Sequence, residues 1–207
     1  MTGLEVNPGR ADHRHIAALV ERNERVLDLG CGDGSLLEML ERERAAHGVG
    51  IEISAAGAQA CLERGLAVIQ GDLAGSVADY PDQSFDTVIL SHTVQELSDP
   101  AHVLDEILRV GRKAIVSFPN FGFLENRLGL ALTGRMPKSR QLPFEWYNTP
   151  NIHLMTIRDF VDFCQGRGIA ILDRVYLGGP LGRVPPALAN LFARTAIFRL
   201  RRARRKV

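Results

Sequence analysis

The sequence predicts an α/β fold on a mainly parallel sheet with helices on both faces. Three observations carry that expectation. Strand-like segments alternate with amphipathic helical ones along most of the chain, the rhythm of a parallel sheet with crossover helices. The segment 85–90 is nearly unbroken in apolar residues after Asp86, as a strand covered on both faces would be. A glycine-rich turn, Gly30-Cys31-Gly32-Asp33-Gly34, separates the first strand from a helix, and such sheets bind ligands at the carboxyl ends of their strands.

The elements follow in order. An amphipathic helix near residues 11–22 precedes the first strand at 25–29. After the turn a helix opens at Ser35, where Ser35 and Glu38 have capping-box spacing and Leu36, Leu37 and Leu40 supply an apolar stripe. The second strand spans 48–53, and its helix runs from 54 to about 64 with Gly65 at the C-terminal cap. The third strand, 67–70, ends in Gly71-Asp72, and the fourth is 85–90. Asp99 followed by Pro100 marks a helix start, Val103, Leu104, Ile107 and Leu108 form its buried stripe, and Gly111 is expected to stop it. The fifth strand covers 113–118.

Residues 119–155 break the rhythm, with Pro119, Pro137, Pro143 and Pro150 among several aromatics. They read as an insertion over the sheet's edge, of the kind that forms lids and binding loops. A helix from Thr156 to about Gly166 and a strand near 169–176 resume the pattern, and 178–186 is a connector. Residues 195–201 fit a strand or the end of an amphipathic helix; the reading adopted is a short strand closing the sheet antiparallel. No internal repeat is present, and 207 residues suit a single domain.

Composition excludes several function classes. Hydrophobic residues at 45% and charged residues at 24% are ordinary for a soluble globule. There is no apolar run of about 18 residues and no basic-apolar leader at the start, so a cytoplasmic protein is expected. Cys31, Cys61 and Cys164 are odd in number and lack Cys-x-x-Cys spacing, which fits a reducing compartment and neither disulfide nor zinc. The six histidines form no ligand pair at helical spacing, so no metal is expected. Residues 199–207 carry six positive charges and no acid. Taking those six from the net +1 leaves the body near −5, which argues against a nucleic-acid-binding groove. The tail itself could touch RNA or an anionic membrane, but a solvated, partly frayed end is the simpler reading.

The chemistry lies at the strand tips. Gly30, Gly32 and Gly34 let backbone approach a ligand that side chains would keep away. A dinucleotide site would want a third glycine where Ser35 stands. More tellingly, Asp28, with Asp33 nearby, would repel a pyrophosphate; like charges about 4 Å apart cost on the order of 4 kcal/mol at an effective dielectric near 20. S-adenosylmethionine (SAM) carries an ammonium, a sulfonium and no phosphate, so the same acids attract it. Glu52 ends the second strand near the offset at which an acid meets ribose hydroxyls, and Ile53 follows it. Asp72 is placed to accept from an adenine amino group with Leu73 beside the ring. Each acid taken singly also fits a solvated or helix-capping residue. On the acceptor side the candidates are Ser91 and His92 after the fourth strand, Asn120 after the fifth, and Trp146, Tyr147 and His153 in the insertion. His92 is the most base-like by position, though it also fits a polar residue closing the adenosine pocket. Trp146 and Tyr147 suit a pocket wall or a docking patch equally. Cys31 reads as a packing residue in the turn.

The array of Asp28 to Gly34, Glu52 and Asp72 resembles the Rossmann-like class I SAM-dependent methyltransferase fold, with its antiparallel C-terminal strand. More narrowly, the segments 48–53, 68–73, 109–122, 134–137 and 142–154 resemble the methionine biosynthesis protein MetW family, and the likeness covers about residues 10–176. That resemblance implies a role in methionine biosynthesis beside a homoserine O-acyltransferase that the protein binds and activates. It further implies SAM or S-adenosylhomocysteine (SAH) as ligand, held by Asp28, Gly30, Cys31, Gly32, Gly34, Glu52, Ile53, Asp72, Leu73, Ser91 and His92. No catalytic residue is assigned. A free-standing methyltransferase of a small molecule is the alternative.

Overall fold

The computed structural model describes residues 9–139, 142–178 and 182–203. Along the chain run α1 (Gly9–Leu19), β1 (Arg25–Leu29), α2 (Ser35–Arg44), β2 (His47–Glu52), α3 (Ala55–Glu63), β3 (Ala67–Gln70), α4 (Leu73–Ala78) and β4 (Phe85–Ser91). A 3-10 turn (Val94–Glu96), α5 (Pro100–Val110), β5 (Gly111–Pro119), α6 (Leu124–Thr133), α7 (Ile157–Gly166), β6 (Ile169–Leu177), α8 (Pro186–Phe192) and β7 (Thr195–Arg202) follow. The strands make one sheet in the order β3-β2-β1-β4-β5-β7-β6. The first five are parallel, and β7 lies between β5 and β6, antiparallel to both.

Period-two alternation divides the strand residues between two faces. Leu27, Leu29, Val88, Leu90, Val116, Phe118 and Phe198 pack with Val103, Leu104 and Ile107 of α5 and Phe160 of α7. Val26, Ile89, Ile115 and Ile197 pack on the other side with Ile16 and Ala17 of α1 and Leu36 and Leu40 of α2. On that second face the pattern turns polar toward the strand tips, where Asp28, Ser91 and Ser117 continue the rows of Val26, Ile89 and Ile115. The sheet thus carries its own polar floor at the carboxyl ends.

Several boundaries and elements differ from expectation. Ser35 does not cap α2: Gly34 does, at φ 76 without a side-chain cap, while the Ser35 amide donates to Asp33 Oδ1 at 3.1 Å and Glu38 pairs with Arg64 instead. Gly111 closes α5 as expected, but in an extended conformation at φ −103 that also begins β5. Helix α4 was unforeseen, because six residues with Gly75 and Ser76 show no stripe. Helix α6 was hidden because Leu128, Leu130 and Leu132 are exposed. Helix α8 begins at the paired prolines read as a connector, Pro186 standing in its first turn. By contrast Asp99 accepts from the His102 amide at 3.0 Å and Thr156 forms a capping box with Asp159, both at the predicted starts.

Two placements change more. The segment after β5 begins against α8 and β7 toward the sheet's edge, where Asn120 Nδ2 donates to Ala193 O. Its end reaches the middle of the sheet's carboxyl end: the Ile152 and His153 amides donate to Gln95 O in the 3-10 turn at 2.8 and 2.9 Å. The basic end is structured through residue 203. Arg199 pairs with Asp173 at 2.5 Å and Arg202 with Asp105 at 3.2 Å, both within or beside the sheet. Residues 204–207 lie outside the described residues. Among the described residues no helix is long and apolar enough to cross a membrane.

Candidate functional site

The site begins where β1 runs out. Gly30, Gly32 and Gly34 take φ of 72, 57 and 76, a left-handed run that only glycine adopts without strain. The Gly30 amide donates to Ile51 O at 2.8 Å, stitching the turn to β2. A Cβ on Gly30 would stand 2.8 Å from Thr93 Oγ1, so the turn also closes against the chain leaving β4.

Glu52, at the tip of β2, is buried and fully oriented. Its Oε2 accepts from the Gly32 amide at 2.8 Å and its Oε1 from the Ser54 amide at 2.8 Å. Each carboxylate oxygen keeps a further acceptor site, and the group lines the cleft beside the turn. Gly57 makes this possible. A Cβ there would meet Glu52 Cγ at 2.8 Å and Gly32 O at 2.9 Å. A lone helical glycine gives no signal of that role in the sequence.

The cleft has a volume of about 630 Å³, within the range of small-molecule sites. Of the predicted residues Gly30, Glu52, Ile53, Asp72, Leu73, Ser91 and His92 line it. Asp72 also caps α4, accepting from the Gly75 amide at 3.0 Å. Asp28, Gly32, Gly34 and Cys31 stand behind the wall rather than in it. Gly32 serves through its bond to Glu52, and Gly34 packs on Leu66 and Cys61. Cys31 turns into a small core with Leu37, Cys61 and Leu66, leaving only its backbone at the turn. Burial raises the thiol pKa of both Cys31 and Cys61, whose sulfurs lie 3.7 Å apart.

The expected acids do not act alike. Asp28 is only 2% exposed, and desolvation, with the Glu52 charge second, pushes its carboxyl up to about 7. It is therefore partly protonated near neutral pH. Asp33 belongs elsewhere: it pairs with Arg64 at 3.1 Å and accepts from the Ser35 amide at 3.1 Å, so its charge is not spent on the cleft. In its place the structure supplies Glu96 and Asp99, both in the lining. Burial raises the Glu96 carboxyl above its ordinary value.

Of the acceptor-side candidates only Ser91 and His92 reach the cleft. Asn120 is a buried clamp: its Nδ2 donates to Ala193 O at 2.8 Å while its Oδ1 accepts from the Gly122 amide at 3.0 Å. Trp146 and Tyr147 stack edge to face at 5.6 Å on the exposed outer surface. From the segment after β5 it is Ile152 that enters the cleft. Sequence reasoning missed Thr93, Glu96, Ser98, Asp99, His102 and Ile152 in the lining; Asp99 was recognised, but only as a cap.

Beneath His92 lies Asp12 of α1, a residue to which no pattern pointed. Its carboxylate Oδ2 is 3.0 Å from His92 Nε2, and Ser117 Oγ stands 3.3 Å from the same oxygen.

Residues 10–200 match the model of the family described as methionine biosynthesis protein MetW. The chain is 34% identical to the bifunctional methionine biosynthesis protein MetXA/MetW of Rhodopirellula baltica, over 94% of this chain and 33% of that protein. It is also 34% identical to the ubiquinone biosynthesis O-methyltransferase of Hahella chejuensis, over 52% of this chain and 47% of that one. The chain thus spans a third to a half of the length of these relatives. Among solved structures, a chain of the complex between the Haloferax volcanii Trm112 methyltransferase activator and a methyltransferase superposes with a TM-score of 0.67 at 18% identity, covering 94% of this chain and 91% of that one. An S-adenosylmethionine-dependent methyltransferase of Mesorhizobium loti also gives 0.67, at 15% identity, covering 93% and 98%. The architecture is that of class I SAM-dependent methyltransferases.

Proposed function

Because the chain belongs to the methionine biosynthesis protein MetW family, we propose that it binds SAM or SAH and acts with a homoserine O-acyltransferase, which it activates. The observation that carries the ligand is the electrostatic make-up of the cleft. Glu52, Asp72, Glu96 and Asp99 line it, and no lysine or arginine does among the described residues. Such a wall attracts a cationic nucleoside without phosphate and repels a dinucleotide. Glu52, held by two backbone amides, has acceptor capacity left for paired ribose hydroxyls.

The partner is supported by the Rhodopirellula baltica relative, in which MetXA and MetW share one polypeptide. A covalent link raises the effective concentration of two units that work together. SAM is made from methionine, so an occupied cleft would report product supply to an early enzyme of the pathway.

The deciding experiment titrates purified acyltransferase with this chain, with and without SAM, following both complex formation by sedimentation and acyl-transfer rate. A complex and a raised rate are expected, with SAM shifting one or both. An unchanged rate without a complex removes the partner. Calorimetry with SAH tests the ligand separately, and no heat of binding removes it. A second reading, methyl transfer to a small molecule, is favoured by the Asp12–His92 pair at the cleft wall.

A further inference from the structure

His92 is held in a way a mere wall residue does not need. It sits at φ 53, a left-handed conformation costly for a side chain with a Cβ. Its backbone is tied on both sides: the amide donates to Ser117 O at 3.0 Å and the carbonyl accepts from Gln95 Nε2 at 2.6 Å. The ring is three-quarters buried, with Nε2 toward Asp12, whose carboxylate is almost completely enclosed. Although Nε2 lies 3.0 Å from Asp12 Oδ2, it and Asp12 Oδ1 are buried polar atoms without hydrogen-bond partners among the described residues.

Buried polar clusters that serve only packing are ordinarily satisfied. Here the orphaned atoms lie directly behind the part of the cleft wall that His92 lines, and poor alignment before substrate binds is common in catalytic pairs. The groups that face His92 are Asp12 from α1 and Glu96 from the 3-10 turn, while Ser117 on β5 and Ser91 on β4, 3.0 Å apart through their hydroxyls, continue the cluster. With Nε2 directed at Asp12, Nδ1 is the nitrogen left for the cleft.

We propose that His92 is a general base for methyl transfer in this cleft, with Asp12 as its positioning residue, and that the acceptor is a small hydroxyl or amine compound bearing no carboxylate or phosphate. The proposal rests on the SAM reading above, which supplies the methyl group. His92 Nδ1 takes the proton from the acceptor O–H or N–H as that atom's electron pair forms the bond to the methyl carbon. The electrons of the broken carbon–sulfur bond stay on sulfur, leaving SAH, and His92 passes the proton to water when the cleft opens. Asp12 stabilises the imidazolium in between. The four carboxylates of the lining, with no lysine or arginine among the described residues, disfavour an anionic acceptor.

The test uses the full chain and the variants His92→Asn and Asp12→Asn. Asparagine tolerates positive φ, so the first removes the base with little backbone cost. SAH binding is measured first by calorimetry. SAH release from SAM is then followed with primary amines, phenols and aliphatic alcohols across pH. We expect methylation of at least one class, with a rate that rises with pH as the base gives up its proton. In His92→Asn we expect kcat to fall by about 100-fold or more, leaving only the pH dependence that SAM binding itself shows. In Asp12→Asn we expect kcat to fall with the KM for the acceptor little changed. Ring ¹⁵N shifts of His92 give a readout apart from turnover: one tautomer, protonated at Nε2, in the wild type with SAH, and a mixture in Asp12→Asn. Binding of SAH with no acceptor methylated, or full kcat in His92→Asn, overturns the proposal and leaves the SAM reading intact. No SAH binding at all overturns both.

Discussion

The Gly32 amide donates to Glu52 Oε2 at 2.8 Å, binding the turn after β1 to the tip of β2. One bond therefore sets both the shape of the glycine turn and the direction of the acid beside it. Replacing Glu52 with alanine removes the acceptor for two backbone amides as well as the group proposed to meet the ribose. A charge-assisted bond is worth about 1.5–3 kcal/mol, so Glu52→Ala is expected to weaken SAH binding by roughly ten- to a hundredfold. Calorimetry checks this, with circular dichroism confirming the fold.

Gly57→Ala should reproduce much of that loss without touching an acid. Its methyl would press on Glu52 Cγ and Gly32 O, and overpacking of this kind costs about 1–3 kcal/mol. The expected result is a lower midpoint of thermal unfolding together with weaker SAH binding. An unaltered affinity would show that Glu52 need not keep its position.

Asp28 gives a pH prediction with a definite sign. Its carboxyl ionises ordinarily at 3.8 and in the native protein at about 7. The folded state thus holds the extra proton between those values, and the contribution to stability falls as pH rises from about 4 to 7, then levels off. Asp28→Asn is expected to gain on the wild type across that window, by at most on the order of 4 kcal/mol. Unfolding midpoints measured from pH 5 to 8 report the gap.

The same shift couples Asp28 to a cationic ligand. Binding of SAM should draw the carboxyl into its charged form and release a proton near pH 7. Calorimetry in buffers of different ionisation heat should show that release in the wild type and much less of it in Asp28→Asn. Buffer-independent heats in the wild type would separate Asp28 from the ligand.

Lys113 provides the control at the other end of the sheet. It reaches Glu24 at 2.5 Å and Glu21 at 2.8 Å, and Glu24 also accepts from the Thr87 hydroxyl at 2.7 Å. Lys113→Met leaves the buried Glu24 without its cation, a loss of about 3 kcal/mol. Chemical denaturation should show that loss while SAH affinity per folded molecule stays the same.

Much of this was legible in the chain. The strands reveal themselves through apolar runs and the helices through Asp99-Pro100 or Thr156 at their starts, because these are local preferences of the backbone. The acids at the tips of β1, β2 and β3 are legible for the same reason: strand ends are where the pattern stops. What escaped was set by neighbours distant in sequence. Asp12 and His92 meet across 80 positions, Gly57 matters only because Glu52 lies over it, and Asp33 leaves the cleft because Arg64 is there to take it.

By itself, then, the sequence determined the alternating α/β order, the glycine turn and the row of acids, since each follows from short-range sterics and periodicity. The tertiary structure alone decided which acids share a cleft, that Asp28 is stripped of water and pushed up to about 7, and that a buried carboxylate stands behind His92. Those depend on desolvation and on distances between elements, and neither is written in the order of residues along one strand.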